Sequence, residues 1–119
     1  MPWLRIDDKM TDHPKISGLS DAAFRLHLSG MTYCARHLTD GFIDSTEVPR
    51  LVQKFKPSAL KELISRGIWY ERNLLDQITV YEIHGYLDWN DSREHVENKR
   101  QAARERMERI RAKREEGQQ

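Results

Sequence analysis

The chain has one cysteine among its 119 residues, so no intrachain disulfide can form. A fold stapled by cross-links is excluded, and the pattern fits a reducing compartment. Long apolar runs are also missing: no stretch approaches the roughly 20 residues that a membrane helix needs. The opening MPWLRIDD carries acids where a secretory leader would have its apolar stretch. These absences lead us to expect a cytoplasmic protein without membrane contact. Charge of one sign is lacking too, since 20 basic residues face 19 acidic ones for a net of +1. A near-neutral total exerts no global pull on nucleic acid, so any such field must come from local clustering. No glycine-rich phosphate loop, HExxH or GxSxG motif occurs, and neither an enzyme nor a cofactor is expected.

Metal-ligating residues are equally sparse. Cys34 and His37 form a C-x-x-H pair on one segment. A structural zinc site needs four ligands, usually as two close pairs, so the fold would have to bring in His13 and His84. Cys34 lies on an apolar stripe, where a buried thiol is the ordinary outcome. No metal is expected. Asp7, Asp8 and Asp12 flank a turn and are read as capping groups rather than as a carboxylate cluster for Mg²⁺.

Apolar residues make up 38% of the chain and mean hydropathy is −0.81, but this poverty is local. Residues 93–119 hold nine basic and six acidic residues, a net of +3, and the remainder carries a net of −2. The composition therefore divides the chain into a domain over 1–90, large enough for one modest core, and a charged helical extension over 91–119.

Residues 45–84 carry the strongest signal. Val48, Leu51, Val52 and Phe55 recur at helical spacing, as do Leu60, Leu63, Ile64 and Gly67. Only Lys56 and Pro57 separate the two segments, and Ser58 is the expected N-cap of the second. Residues 68–72 and 77–83 follow as a β-hairpin rich in β-branched and aromatic types, with Asn73 and Asp76 marking its turn. Helix, turn, helix and hairpin in that order predict a winged helix-turn-helix, a mainly α fold with a small β-sheet. Leu74 and Leu75 at the wing tip are unexpectedly apolar.

Upstream, Pro14 suits the first position of a short helix preceded by His13. Ser20 caps a longer helix over 21–37, the expected central scaffold. It carries two apolar stripes, Phe24, Leu28, Met31, Ala35 and Leu38 on one and Ala23, Leu26, Gly30 and Cys34 on the other. Thr39-Asp40-Gly41 signals a turn into a short strand at Phe42-Ile43, which would complete the sheet. The aromatic residues Trp69, Tyr70, Tyr81, Tyr86 and Trp89 are read as hairpin packing rather than as a base-stacking platform.

In the extension, Asp91 and Glu94 suggest a capping box. Val96, Ala103, Met107 and Ile110 form one broad stripe, too interrupted by Lys99 and Arg106 for a coiled coil. Fraying is expected from about residue 113.

The run WLRIDDKMTDHPKISGLSDAAFRLHLSGMTYCARHLTDGFI resembles a family of small proteins carried by phages and prophages of actinobacteria, as do LISRGIWYE and IHGYLDWNDSREHVENKRQAARERMERIR. Members are helix-turn-helix DNA-binding proteins similar to the N-terminal domains of phage replisome organisers and replication initiators. The resemblance implies DNA binding in replication initiation or transcriptional control, with a replication or host protein as partner. Asp91 stands where the family commonly has proline. The chain ends soon after the basic helix, which leaves no room for a separate helicase-loading domain.

The expected DNA contacts are Ser58, Lys61 and Ser65 on the outward side of the second helix, with Ala59 and Glu62 beside them. Lys54 and Lys56 lie before the turn, and Arg72 and Asn73 at the wing. In the extension two readings stay open. Arg100, Arg104 and Arg111 suit phosphates, whereas Val96, Ala103, Met107 and Ile110 suit a weak homodimer, and double-stranded DNA is the expected partner. The alternative of another class is a protein-interaction or dimerisation adaptor built on the same scaffold without direct DNA readout.

Overall fold

A computed structural model describes residues 3–117, without the side chain of Trp89. Its α+β architecture runs α1 (Pro14–Ser17), α2 (Asp21–His37), β1 (Phe42–Asp44), α3 (Pro57–Ser65), β2 (Trp69–Asn73), β3 (Thr79–Ile83), α4 (Tyr86–Trp89) and α5 (Arg93–Gly117). The three strands form an antiparallel sheet in the order β1-β3-β2, with Ile43 opposite Tyr81 and Trp69 opposite Ile83.

Helix α2 is the scaffold that its two stripes predict. Ser20 accepts from the Ala23 N–H and caps it, and at its far end Leu38 turns left-handed to release the chain toward β1. Leu26, Cys34, Ile43, Val48, Leu63 and Trp69 are fully buried side chains at the centre of the core. Gly30 lets the sheet approach: a Cβ there would meet Trp69 Cζ2 at 2.5 Å. His27, which neither predicted stripe includes, is buried beside them and accepts the Trp69 indole N–H.

Residues 45–55 correct the sequence reading. In place of an amphipathic α-helix there is one 3₁₀ turn over Val48–Arg50, followed by bends. The Arg50 and Leu51 amides bond to the carbonyls three residues back, at Glu47 and Val48. Pro49 donates no hydrogen bond, and Pro57 confines Lys56 to extended backbone at φ −120°, ψ 122°. The few residues left between the prolines cannot repay helix nucleation. Val48 is nevertheless buried, with Leu51, Val52 and Phe55 packed against the core, so the spacing reports the inward side correctly.

The extension begins differently from its reading. The Ser92 hydroxyl, not Asp91, caps α5 by accepting the His95 N–H at 3.1 Å. Asp91 instead faces Arg5 and Lys99. The helix runs through Gly117, as expected for a stretch built from strong helix formers. Its first turn docks on the body, where the Arg93 N–H meets Asp40 at 2.7 Å and Val96 is buried. Residues 97–117 are exposed throughout.

Candidate nucleic-acid interface

Helix α3 takes Pro57 at its first turn, so the extended Lys56 precedes it and Ser58 lies inside it rather than capping it. Leu63 and Ala59 are buried, which moves Ala59 from the outward to the inward side. Its small methyl allows the close approach of α3 to α2. Ser58, Lys61 and Ser65 are exposed along the opposite side.

The one acid of α3 is turned away from that face. The Glu62 carboxylate accepts the Ser20 N–H at 2.8 Å, at the positive end of α2. The Ser65 hydroxyl donates to the Glu62 carbonyl, which leaves its lone pairs for an outside donor. Beyond Ser65, the Arg66 guanidinium lies over Gly18, where a Cβ would stand 2.7 Å from its Nη1.

Lys54 and Lys56 project from the loop before α3. Together with Arg25 of α2 they rim a groove of about 290 Å³, floored by Leu26 and Ala59. None of Arg25, Lys54, Lys56, Lys61 and Arg66 has a carboxylate within ion-pair distance among the described residues. Five exposed cations thus lie around α3, Lys61 on its outward face, Arg25, Lys54 and Lys56 at the groove it makes with α2, and Arg66 on the side toward Gly18, and its only carboxylate is occupied elsewhere. Arg25 and Arg66 escape sequence reading, because each is set beside α3 by packing between segments far apart in the chain.

The wing contributes less. Arg72 is committed to Glu82 at 3.0 Å and lies over the Tyr70 ring, 5.4 Å from its centre. Asn73 accepts from the Thr79 hydroxyl at 3.1 Å. Both hold the hairpin together, which argues against Arg72 as a free phosphate ligand. Leu74, Leu75 and Ile78 are exposed at the tip, with Asp76 and Gln77 in left-handed backbone.

On α5 the charges segregate by face. Glu94, Glu97, Glu105 and Glu108 fall along one side at helical spacing. The opposite side carries Ala103, Met107 and Ile110, flanked by Lys99 and Arg106 on one edge and by Arg100, Arg104 and Arg111 on the other. Arg104 also donates to Gln101. Val96 is spent on the domain body, so only three members of the predicted stripe are exposed.

The remaining titratable groups are structural in their surroundings. The Cys34 thiol, directed at the Phe42 carbonyl, is pushed up to about 11 by burial and stays protonated at neutral pH. His37 packs on Tyr33, with ring centres 4.5 Å apart, and His13 accepts the Lys15 N–H. Asp7 is held below the usual carboxylate range by the Lys9 N–H. No helix among the described residues is long and apolar enough to cross a membrane.

No protein-family model, curated protein or solved structure matches the chain.

Proposed function

We propose that this chain is a non-catalytic DNA-binding winged-helix protein of phage or prophage origin. It acts in the bacterial cytoplasm, in replication initiation or transcriptional control. The observation that carries the reading is the set of cations without an ion-pair partner among the described residues, Arg25, Lys54, Lys56, Lys61 and Arg66, around α3 and its groove with α2. Leaving so many like charges unpaired destabilises an isolated surface, and a duplex backbone compensates them. Ser58, Lys61 and Ser65 face the groove in this reading, while Lys54, Lys56 and Arg25 engage the phosphates on one side. Arg100, Arg104 and Arg111 extend the same role along α5. A replication or host protein completes the assembly.

The exposed wing tip, Leu74, Leu75 and Ile78, favours a second reading, an adaptor that docks a protein through the same scaffold. Titration of random duplex DNA across a range of salt separates the two. A DNA binder loses affinity steeply as salt rises, with a slope near −0.9 per phosphate neutralised. Replacing Arg25, Lys54, Lys56 and Lys61 together by Ala should flatten that slope by roughly three to four units. Absence of duplex binding at low salt sinks the DNA reading and leaves the adaptor.

A further inference from the structure

Away from the basic face, a cavity of about 730 Å³ lies between the N-terminal arm, α1, α2 and the end of β3. Its volume is in the range of small-molecule sites and many times that of one water. Met31, Ile68, Ile83 and Tyr86 line it from the body, all of them largely buried, and Ile6, Met10 and Ile16 from the arm and α1. The arm is fastened at the cavity edge by the Arg5 N–H, which donates to the Asn90 side chain at 2.7 Å.

His27 also lines this cavity and is only 6% exposed. Its Nδ1 accepts the Trp69 indole N–H at 2.9 Å. An uncharged imidazole with one nitrogen accepting carries its proton on the other, so His27 presents an Nε2–H donor. That donor has no protein acceptor among the described residues. Water reaches that donor from the cavity, so a ligand that displaces the water without offering an acceptor leaves the donor unmet, whereas one with an acceptor there does not.

We propose that this cavity is a binding site for an uncharged, mainly apolar small molecule bearing one hydrogen-bond acceptor, which takes the His27 Nε2–H. A carbonyl, an ether or a ring nitrogen meets the requirement. A carboxylate does not, because the cations at the cavity, Arg5, Lys9 and Lys15, are exposed side chains and Asp7, Asp12 and Asp88 accompany them. An anion carried down to His27 would leave its water behind without a buried countercharge. The five cations that border α3 take no part in lining the cavity, so this site stands or falls separately from DNA binding.

The uncharged naphthyl ketone prodan tests the proposal, since its emission shifts to the blue when it leaves water. Titrated with the full chain, it should show saturable, blue-shifted emission with one site per chain. Its analogue with a methylene in place of the carbonyl, 6-propyl-2-(dimethylamino)naphthalene, should bind at least about fivefold more weakly, as expected when a buried donor goes unmet. Ile16→Trp places a ring in the cavity from a partly exposed position and should weaken prodan at least tenfold. If circular dichroism shows that variant unfolded, Met10→Trp serves the same purpose. Absence of saturable binding overturns the site, as does equal affinity for the analogue. Undiminished binding to the filled variants overturns it as well.

Discussion

The Trp69 indole N–H donates to His27 Nδ1 at 2.9 Å, and both side chains are buried. The bond joins α2 to β2 across 42 positions of sequence. It also fixes the charge of His27, because a protonated ring would turn a second donor toward the indole.

Burial lowers the His27 pKa from 6.5 to about 4. The unfolded chain therefore takes up this proton near pH 6.5 and the folded chain only near 4. The contribution is fully present above 6.5 and is lost as pH falls through that window, the loss reaching roughly 3 kcal/mol at the lower end. In His27→Asn the amide oxygen stands where Nδ1 does and can accept from the indole, but nothing titrates. Urea midpoints at pH 7 and pH 4.5 should show a smaller acid loss for the variant than for the parent chain. Equal losses would mean that His27 charges in place.

Gly30 occupies the middle of α2, where alanine usually gains about 1 kcal/mol of helix propensity. Here the added methyl would meet Trp69 at 2.5 and 2.9 Å and Ile43 at 3.1 Å, all within the core. Overpacking of that kind costs about 1–3 kcal/mol and exceeds the propensity gain. Gly30→Ala should lower the denaturant midpoint, and a rise would show that Trp69 has room to shift.

What the sequence discloses is periodic or capped; what it conceals is paired at long range. Ser20 and the two stripes locate α2 at 21–37, and the β-branched runs locate the hairpin strands within two residues. Val48, Leu51, Val52 and Phe55 reveal an inward side but not the hydrogen-bond pattern, since a 3₁₀ turn with bends satisfies the same burial. Ala59 reads equally well inside or outside, and only the closeness of α2 decides it. Glu62 with Ser20, Arg66 with Gly18 and Arg72 with Glu82 are partnerships between segments, so composition alone overestimates the free charge of the wing and misses Arg25. His27 escapes the sequence pattern because a polar residue between two apolar stripes looks like a boundary.

Arg72 and Lys56 should separate structure from binding. Arg72→Ala removes an exposed ion pair and a stacked ring contact, worth about 1 kcal/mol together, and should leave duplex affinity nearly unchanged. Lys56→Ala should do the reverse, holding the melting temperature and weakening DNA binding several-fold at low salt. Fluorescence anisotropy with thermal melts of both variants checks the pair, and equal affinity losses would return the wing to the interface.

The first turn of α5 belongs energetically to the body. Burial of Val96 contributes about 1.5 kcal/mol or more, with Arg93 and Ser92 satisfying backbone and cap. A chain ending at Arg100 should melt within a degree or two of the full chain, while one ending at Asn90 should melt several degrees lower. Identical melting of the two truncations would show that Val96 adds nothing.

The two readings of α5 respond to salt with opposite sign. A homodimer along Ala103, Met107 and Ile110 brings Lys99, Arg100, Arg104, Arg106 and Arg111 of one copy toward the same residues of the other. Like charges at an interface repel, and the screening length shrinks from about 10 Å at 0.1 M salt to about 4–5 Å at 0.5 M. Self-association on this stripe should therefore strengthen as salt rises, whereas phosphate binding by the same arginines weakens. Sedimentation velocity at 50 mM and 500 mM salt, on the full chain and on Ile110→Asp, reads the first arm. The expected result is a larger dimer fraction at high salt, abolished by the substitution. A dimer that dissolves at high salt would require the basic face of one α5 to meet the glutamate face of another. That pairing sets Met107 and Ile110 of one copy against the glutamates of the other, so Ile110→Asp would weaken it too, and the direction of the salt response tells the two dimers apart. A monomer at both salts reserves the whole basic face for a polyanion.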